Sequence, residues 1–222
     1  EISACLVGSE MCIRDSYKIG ERYKVFVVEV ADSVKGVHLV VSRSHPGLVR
    51  RLLELEVPEI GQGIIEIKAL SREPGSRSKI AVHSIKENVD PVGTCIGPKG
   101  MRVQEVIREL RGEKIDIIKY SDDPAEYVAN ALSPADVISI EVDEDNRMCR
   151  VIVPDSQLSL AIGREGQNVR LAARLTGWKI DLSSAPDEKE QSGPAFKLDM
   201  DMEPAELELA PDNMETEEAE EL

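Results

Sequence analysis

The spacing of apolar residues predicts a β-hairpin close to the start of the chain. Apolar side chains recur through residues 23–30 and again through residues 37–41, and the mostly polar segment between them, 32–36, ends in Gly36. Two such runs joined by a polar, glycine-containing turn are typical of a hairpin. Because two strands alone are only marginally stable, we interpret this hairpin as the end of a larger β-domain.

The first 16 residues follow a different pattern. Residues 1–16 show neither the alternation of a strand nor the apolar face of a helix. They also have no counterpart in the rest of the chain. We therefore interpret them as an unmatched leader, which foreign or wrongly joined sequence would explain.

Helical and strand-like segments then follow in the order helix, strand, strand, helix, loop, helix, strand. Ser44 is a suitable helix N-cap, and Pro46 suits the first helical turn. The predicted elements are, in chain order, a helix from there to about Pro58, strands at 63–70 and 79–85 around a polar turn at 71–78, helices at 92–96 and 101–110, and a strand at 115–118. The segment therefore reads as one small α+β unit.

The same order of elements recurs in the second half of the chain. The second set comprises a helix at 124–132, strands at 137–142 and 148–153, helices at 156–162 and 167–175, and a strand at 178–182. Residue by residue, Ile96-Gly97-x-x-Gly100-x-x-Val103 aligns with Ile162-Gly163-x-x-Gly166-x-x-Val169, and Lys114-Ile115-Asp116 aligns with Lys179-Ile180-Asp181. We infer an internal duplication, in which each copy carries a Gly-x-x-Gly loop between two helices.

A Gly-x-x-Gly loop between helices is suited to holding a nucleic-acid backbone. Without side chains at its two ends, the loop lets that backbone approach closely, and N–H groups at the start of the next helix face the phosphates. In the KH module, whose type II form has this order of elements, the loop clamps about four nucleotides of a single strand beside an apolar groove for the bases. The candidate RNA-binding residues are Gly97, Pro98, Lys99, Gly100 and Arg102 in the first copy and Gly163, Arg164, Glu165, Gly166 and Arg170 in the second.

The net charge of −15 on its own argues against nucleic-acid binding, because phosphates need a positive surface. The negative charge is concentrated in residues 186–222, which contain 14 acidic and 2 basic residues. Residues 43–119 contain 14 basic and 11 acidic ones, so the sequence around the first loop is locally basic. Because residues 185–222 show no sustained apolar period, we expect them to form a disordered acidic tail.

Other chemistries have little support in the sequence. Four cysteines are scattered without a Cys-x-x-Cys pair, so we expect no zinc site, no disulfide framework and no other metal or cofactor. The segment Gly93 to Gly100 lacks the Gly-Lys-Ser/Thr ending of a nucleotide-binding phosphate loop, since Pro98 separates Gly97 from Lys99. No apolar run is long enough to span a bilayer. We therefore expect a cytoplasmic protein without catalytic activity.

Three segments resemble those of a known family, the NusA transcription elongation and termination factors. Residues 91–103 (PVGTCIGPKGMRV) are similar to the family's first KH loop, and residues 155–168 (DSQLSLAIGREGQN) are similar to its second. Residues 42–49 (SRSHPGLV) resemble its junction between an OB-fold domain and the first KH domain. The organisation that we predict is α+β, with the leader at 1–16, a partial OB-fold β-barrel at 17–43, type II KH domains at 44–120 and 121–184, and the tail at 185–222.

The resemblance implies that the chain binds single-stranded RNA as part of a factor that modulates pausing, termination and antitermination. Its implied partners are nascent RNA, RNA polymerase and other transcription factors, without a membrane. From the resemblance we also expect these 222 residues to hold no counterpart of the family's N-terminal polymerase-binding domain and only the last strands of its OB-fold, so we do not expect this chain alone to bind polymerase.

Two other classes of RNA-binding protein stay open at this point. One is the accessory RNA-binding module of an RNA-processing enzyme, which a nuclease assay with phosphate and Mg²⁺ would reveal. The other is a ribosomal protein with a KH fold, which co-sedimentation with ribosomal subunits would reveal. Against the ribosomal protein stand the internal duplication and the acidic tail.

Overall fold

The computed structural model describes residues 3–6, 20–33 and 36–185, which form an α+β structure. The strands are β1 (Ser3–Leu6), β2 (Phe26–Ser33), β3 (Gly36–Ser42), β4 (Ile65–Glu73), β5 (Arg77–Ser84), β6 (Lys114–Lys119), β7 (Ser139–Asp143), β8 (Met148–Pro154) and β9 (Lys179–Ala185). The helices are α1 (Pro46–Glu56), α2 (Pro58–Gly61), α3 (Pro91–Ile96), α4 (Met101–Glu109), α5 (Pro124–Leu132), α6 (Asp155–Ile162) and α7 (Gln167–Thr176), with 3₁₀ turns at Pro98–Gly100 and Arg164–Gly166. Apart from Ala185, the predicted tail lies outside the described residues.

The N-terminal sheet is open and has the strand order β1-β3-β2. The predicted hairpin is confirmed, because β2 pairs antiparallel with β3. Within residues 1–16, which lack the side-chain alternation of a strand, β1 pairs parallel with β3, from Ser3 opposite His38 to Leu6 opposite Val41. Main-chain hydrogen bonds to a neighbour hold such an edge strand. Since those bonds need no alternating side chains, the sequence pattern gave no sign of it.

The first KH domain is built on a sheet with the order β4-β5-β6. Its central strand, β5, runs antiparallel to β4 and parallel to β6. Buried side chains fill the core beneath the helices, for example Leu53 of α1, Cys95 of α3 and Val106 of α4 around Ile80 of β5. The order of helices and strands is the one that the sequence predicted for a type II KH fold.

The cap of α1 differs from the prediction. The N-cap is His45 instead of Ser44, because His45 Nδ1 accepts a hydrogen bond from Gly47 N at 3.0 Å. The imidazole also stacks on the Phe26 ring, with 4.5 Å between the ring centroids and 4° between their planes. The stacking holds the histidine in the capping position and ties α1 to the N-terminal sheet.

The β4–β5 hairpin also extends further than predicted. Strand pairing continues to Glu73 opposite Arg77, which leaves only residues 74–76 for the turn. The predicted turn at 71–78 was too long because polar residues within it are buried. A carboxylate from outside the hairpin, Glu113, receives their hydrogen bonds and makes that burial possible.

The second KH domain repeats the topology of the first. In its sheet, β7-β8-β9, the central strand β8 runs antiparallel to β7 and parallel to β9. Helix α5 spans the predicted range, and the Asp123 carboxylate caps it by accepting a hydrogen bond from Ala125 N at 3.1 Å. The duplication inferred from the sequence is therefore confirmed by the strand order and by the helices that flank each loop.

The two KH domains pack against each other through a shared core. Ala81 and Ile118 of the first domain lie in the same buried cluster as Ala172 of α7. The fully buried Lys79 of the first domain donates a hydrogen bond from Nζ to Ser133 O at the end of α5, at 2.8 Å. Helix α7, and the loop at its start, are therefore fixed against the sheet of the first domain.

Candidate nucleic-acid interface

The first Gly-x-x-Gly loop joins α3 to α4. The Asp90 carboxylate caps α3 by accepting a hydrogen bond from Gly93 N at 3.0 Å. The helix ends at Gly97, whose φ of 75° and ψ of 172° lie in a region essentially restricted to glycine. Lys99, with φ of 53°, and Gly100, with φ of 75°, are left-handed as well. These three positive φ angles turn the chain so that α4 begins directly after the loop.

The second loop, between α6 and α7, has the same backbone conformation. Gly163 has φ of 75° and ψ of 173°, Glu165 has φ of 54°, and Gly166 has φ of 72°. A non-glycine residue in the left-handed region, such as Lys99 or Glu165, costs about 1–2 kcal/mol. Backbone strain of this kind concentrates at ligand-binding sites. The repeated geometry makes the two loops equivalent candidates for one kind of ligand.

The first glycine of each loop is needed for close packing. A Cβ atom on Gly97 would lie 2.7 Å from Arg102 Cγ, and a Cβ atom on Gly163 would lie 2.7 Å from Asn168 Cβ. Arg102 and Asn168 occupy the same position in the aligned copies. Each loop therefore rests directly on the second residue of the helix that follows it.

The second glycine of each loop faces open space. A Cβ atom on Gly100 or Gly166 would meet nothing within 4 Å. Next to it in the first loop, Lys99 is exposed and has no ion pair within the part of the chain that the structure describes. In the second loop Arg164 is 91% exposed, but Glu165 Oε1 lies 3.6 Å from its Nε. The first loop therefore presents the more positive surface.

Arg102, predicted to contact RNA, is held by protein groups. Its Nη1 donates hydrogen bonds to Thr94 O at 2.9 Å and to Glu59 Oε2 at 3.0 Å. The guanidinium thereby connects the start of α4 with α3 and with α2. These bonds stabilise the position of the first loop relative to α2 and α3. A contact between Arg102 and RNA stays a prediction.

Asn168 was not among the predicted site residues, yet it braces the second loop as Arg102 braces the first. The side chain is buried, and its Nδ2 donates to Leu132 O and Ala161 O, both at 3.0 Å. These carbonyls lie at the ends of α5 and α6, so one amide ties three helices together. The signal that would have identified Asn168 is its alignment with Arg102 in the internal repeat.

Arg170, also predicted to contact RNA, binds a carboxylate of the first KH domain. Its Nε and Nη2 donate to Glu73 Oε1 and Oε2 at 2.7 and 3.2 Å, and its Nη1 donates to Glu165 O at 3.2 Å. Gln167 Nε2 donates to the same Glu73 carboxylate at 2.7 Å. The hydrogen bond from Arg170 lowers the pKa of Glu73. Arg170 thus links the second loop to β4.

Glu73→Gln is expected to make the free energy of unfolding less dependent on pH in the acid range. Because the pKa of Glu73 is lowered in the folded state, its ion pair contributes stability that is fully present above the ordinary pKa of 4.5 and is lost as the pH falls through the lowered value. The variant should be less stable than the unmodified chain at neutral pH, by roughly 1 kcal/mol. Urea unfolding at a series of pH values should show this difference shrinking in acid, and a constant difference would contradict the assignment.

A groove with a volume of about 450 Å³ lies between α3 of the first KH domain and the second domain. Val92 and Ile117 contribute apolar walls, Lys119 contributes a positive charge, and the opposite wall is formed by residues in the range 129–137. The groove therefore combines apolar surface with two charged side chains of opposite sign, Lys119 and Asp136.

The described residues give little support for a nucleophilic thiol, a metal-binding site or a membrane-spanning helix. Burial raises the pKa of the Cys95 thiol to about 11, so the thiol is protonated at neutral pH. Within residues 3–6, 20–33 and 36–185, no cluster of His, Cys, Asp and Glu side chains could hold a metal ion. In the same residues, no helix has the length and apolar character needed to cross a membrane.

Known sequence families match both KH domains. Residues 43–120 match the NusA-like first KH domain, and residues 124–190 match the NusA-like second KH domain. The chain belongs to the NusA family. Both Gly-x-x-Gly loops lie inside the matched ranges, so they are the loops of the NusA KH domains, and the resemblance seen in the sequence is confirmed.

Similar curated proteins are named transcription termination/antitermination protein NusA. The protein of Bacillus subtilis is 52% identical over 204 residues, which cover 92% of this chain and 55% of that protein. The protein of Halalkalibacterium halodurans is 54% identical over 190 residues, 86% of this chain and 50% of that protein. The protein of Thermus thermophilus is 54% identical over 182 residues, which cover 82% of this chain and 47% of that protein. The chain thus spans about half the length of these NusA relatives.

Proposed function

We propose that this chain binds single-stranded RNA through both Gly-x-x-Gly loops, as the RNA-binding part of a NusA transcription factor. One observation carries the proposal: the same strained loop backbone occurs twice, at 97–100 and 163–166, on two KH domains that meet in a shared buried cluster. A KH loop clamps about four nucleotides of a single strand. The function is binding, without a catalytic step.

The surroundings of the first loop support this role. Gly100 leaves its surface open to an approaching sugar-phosphate backbone, and the exposed Lys99 adds positive charge for the phosphates. The groove of about 450 Å³, which is reached from the loop along α3, offers the apolar walls of Val92 and Ile117 to the bases. Because only 3% of the residues are aromatic, we infer that apolar packing and hydrogen bonds hold the bases, instead of aromatic stacking.

The names of the relatives support transcription as the process in which this chain acts. They are transcription termination/antitermination proteins. We infer that this chain acts in the cytoplasm with nascent RNA, RNA polymerase and other transcription factors, and that it affects pausing, termination and antitermination. Co-purification of RNA polymerase with the chain, in the presence and absence of RNA, would separate direct polymerase binding from binding through the transcript.

Replacing Lys99 and Gly100 together by aspartate is expected to weaken RNA binding by about 10- to 100-fold, because two negative charges replace one positive charge where the phosphates lie. The fold should persist. Aspartate tolerates the left-handed conformation of Gly100, and a Cβ atom there meets nothing within 4 Å. Fluorescence anisotropy with a labelled single-stranded RNA measures the affinity, and circular dichroism checks the fold.

A matched control separates the loop from the total charge of the chain. Arg51 and Leu55 lie on α1 with 70% and 67% exposure, and replacing both by aspartate changes the net charge by the same amount. This control should keep nearly all of its RNA affinity. Unchanged affinity in the Lys99 and Gly100 variant would remove the first loop from the interface.

A further inference from the structure

The second loop lies beside a cleft that both KH domains form. The cleft has a volume of about 210 Å³. Its walls include Ser76, Arg77 and Lys114 of the first domain and Gly163, Arg164 and Gln167 of the second. Gln167 Nε2 donates a hydrogen bond to Ser76 Oγ at 2.8 Å, which holds the two walls together.

The second loop alone is a weak site for an anion. Arg164 and Glu165 are 91% and 81% exposed, and only 3.6 Å separates the Arg164 Nε from the Glu165 Oε1. The two charges therefore offset each other, whereas the first loop has Lys99 at the position of Glu165. A phosphate held at the second loop needs positive charge from another part of the molecule.

The first KH domain supplies that charge from the start of β6. Lys114 is exposed and, among the residues that the structure describes, has no ion pair. The Asp116 carboxylate of the same strand is already bound by Arg77 at 2.6 Å and by the buried Lys79 at 3.4 Å. Lys114 is therefore the cation of this wall whose charge no carboxylate offsets.

The internal repeat provides a natural comparison for Lys114. Lys179 occupies the same position in the second copy, at the start of β9, and it is exposed as well. On the neighbouring strand Lys179 lies opposite Met148, whereas Lys114 lies opposite Arg77. Lys179 lines neither the groove nor the cleft described above. The two lysines thus share a local structure but differ in their distance from the second loop's cleft.

We propose that the RNA phosphate lying on the second loop is bound jointly by Arg164 and by Lys114 of the first KH domain. The inference rests on the proposed RNA binding by the loops, and it adds that neither KH domain forms this subsite alone. A single-stranded RNA that occupies the subsite lies across the β4–β5 turn, next to Ser76. The positive charge that Glu165 removes from the second loop is thereby restored by the neighbouring domain.

Lys114→Ala is expected to weaken RNA binding about three- to tenfold, and Lys179→Ala is expected to leave it within about twofold of the unmodified chain. The probe is a random-sequence pool of single-stranded RNA of roughly 12 nucleotides, which is enough to fill two loops of about four nucleotides each. Losing one phosphate contact should also reduce the slope of log affinity against log salt concentration by about 0.7. Equal losses in the two lysine variants would overturn the shared subsite.

A double-mutant cycle tests whether the two cations hold the same phosphate. If they do, Lys114→Ala combined with Arg164→Ala loses less affinity than the product of the two single losses. Losses that multiply would show independent contacts and overturn the joint subsite. Failure of the unmodified chain to bind the pool would remove the proposed function itself, whereas normal binding by Lys114→Ala would remove only the shared subsite.

Discussion

Replacing Glu113 by alanine is expected to lower the free energy of unfolding by about 3–5 kcal/mol. The carboxylate is fully buried and accepts hydrogen bonds from Arg72 Nε and Nη2, both at 2.9 Å. It also accepts bonds from Gly75 N at 2.9 Å and from Ser78 Oγ at 2.6 Å. Since the Arg72 side chain is only 1% exposed, alanine would leave a buried guanidinium without its counter-charge. The cost comes from that uncompensated charge.

Urea unfolding followed by circular dichroism measures this loss, and Glu105→Ala is the matched control. Glu105 pairs with Arg108 at 2.8 Å, but the two side chains are 47% and 74% exposed, so its loss should stay below about 1 kcal/mol. Adding Arg72→Met to Glu113→Ala should restore part of the stability, because the stranded charge is then gone. Similar losses for the two glutamate variants would contradict the burial argument.

The Glu113 network also connects stability to the second loop. Glu113 holds the β4–β5 turn, and that turn begins after Glu73 and contains Ser76. Glu73 binds Arg170, and both Glu73 and Ser76 accept hydrogen bonds from Gln167 at the start of α7. Loosening the turn would therefore remove part of the contact that holds the second loop against the first KH domain.

The sequence predicted the elements most reliably where the signals are local. Asp123 followed by Pro124 marks the start of α5, and the predicted and observed ranges of that helix agree. The loops at 97–100 and 163–166 were located as well, because their positive φ angles require glycine at fixed spacing. These features depend on residues within one or two turns of each other.

The partners of the site's side chains could not be predicted, because they come from distant parts of the chain. Arg102 and Arg170 lie just after the loops, and that spacing suggested that both face RNA. Their carboxylates are 43 residues away in the case of Glu59 and 97 residues away in the case of Glu73. Neither periodicity nor net charge tells which carboxylate tertiary packing will bring next to an arginine.

Gly163→Ala is expected to lower the free energy of unfolding by about 3 kcal/mol or more, whereas Gly166→Ala should cost about 1–2 kcal/mol. Gly163 has φ of 75° and ψ of 173°, a conformation that is essentially restricted to glycine. Its new methyl group would also lie 2.8 Å from Asn168 N, a main-chain atom of α7. Gly166, with φ of 72° and ψ of 15°, has no atom within 4 Å of the same position.

The pair of substitutions is informative because each adds one methyl group to the same loop. Thermal or urea unfolding of both variants measures the difference in stability directly, and equal losses would mean that the loop relaxes away from Asn168. RNA affinity of the folded proteins adds a second test. Gly166→Ala places its methyl group on the open surface where the RNA backbone approaches, so it should weaken binding although most of its stability is kept. Loss of stability at the first glycine and loss of binding at the second would then assign packing to one and ligand contact to the other.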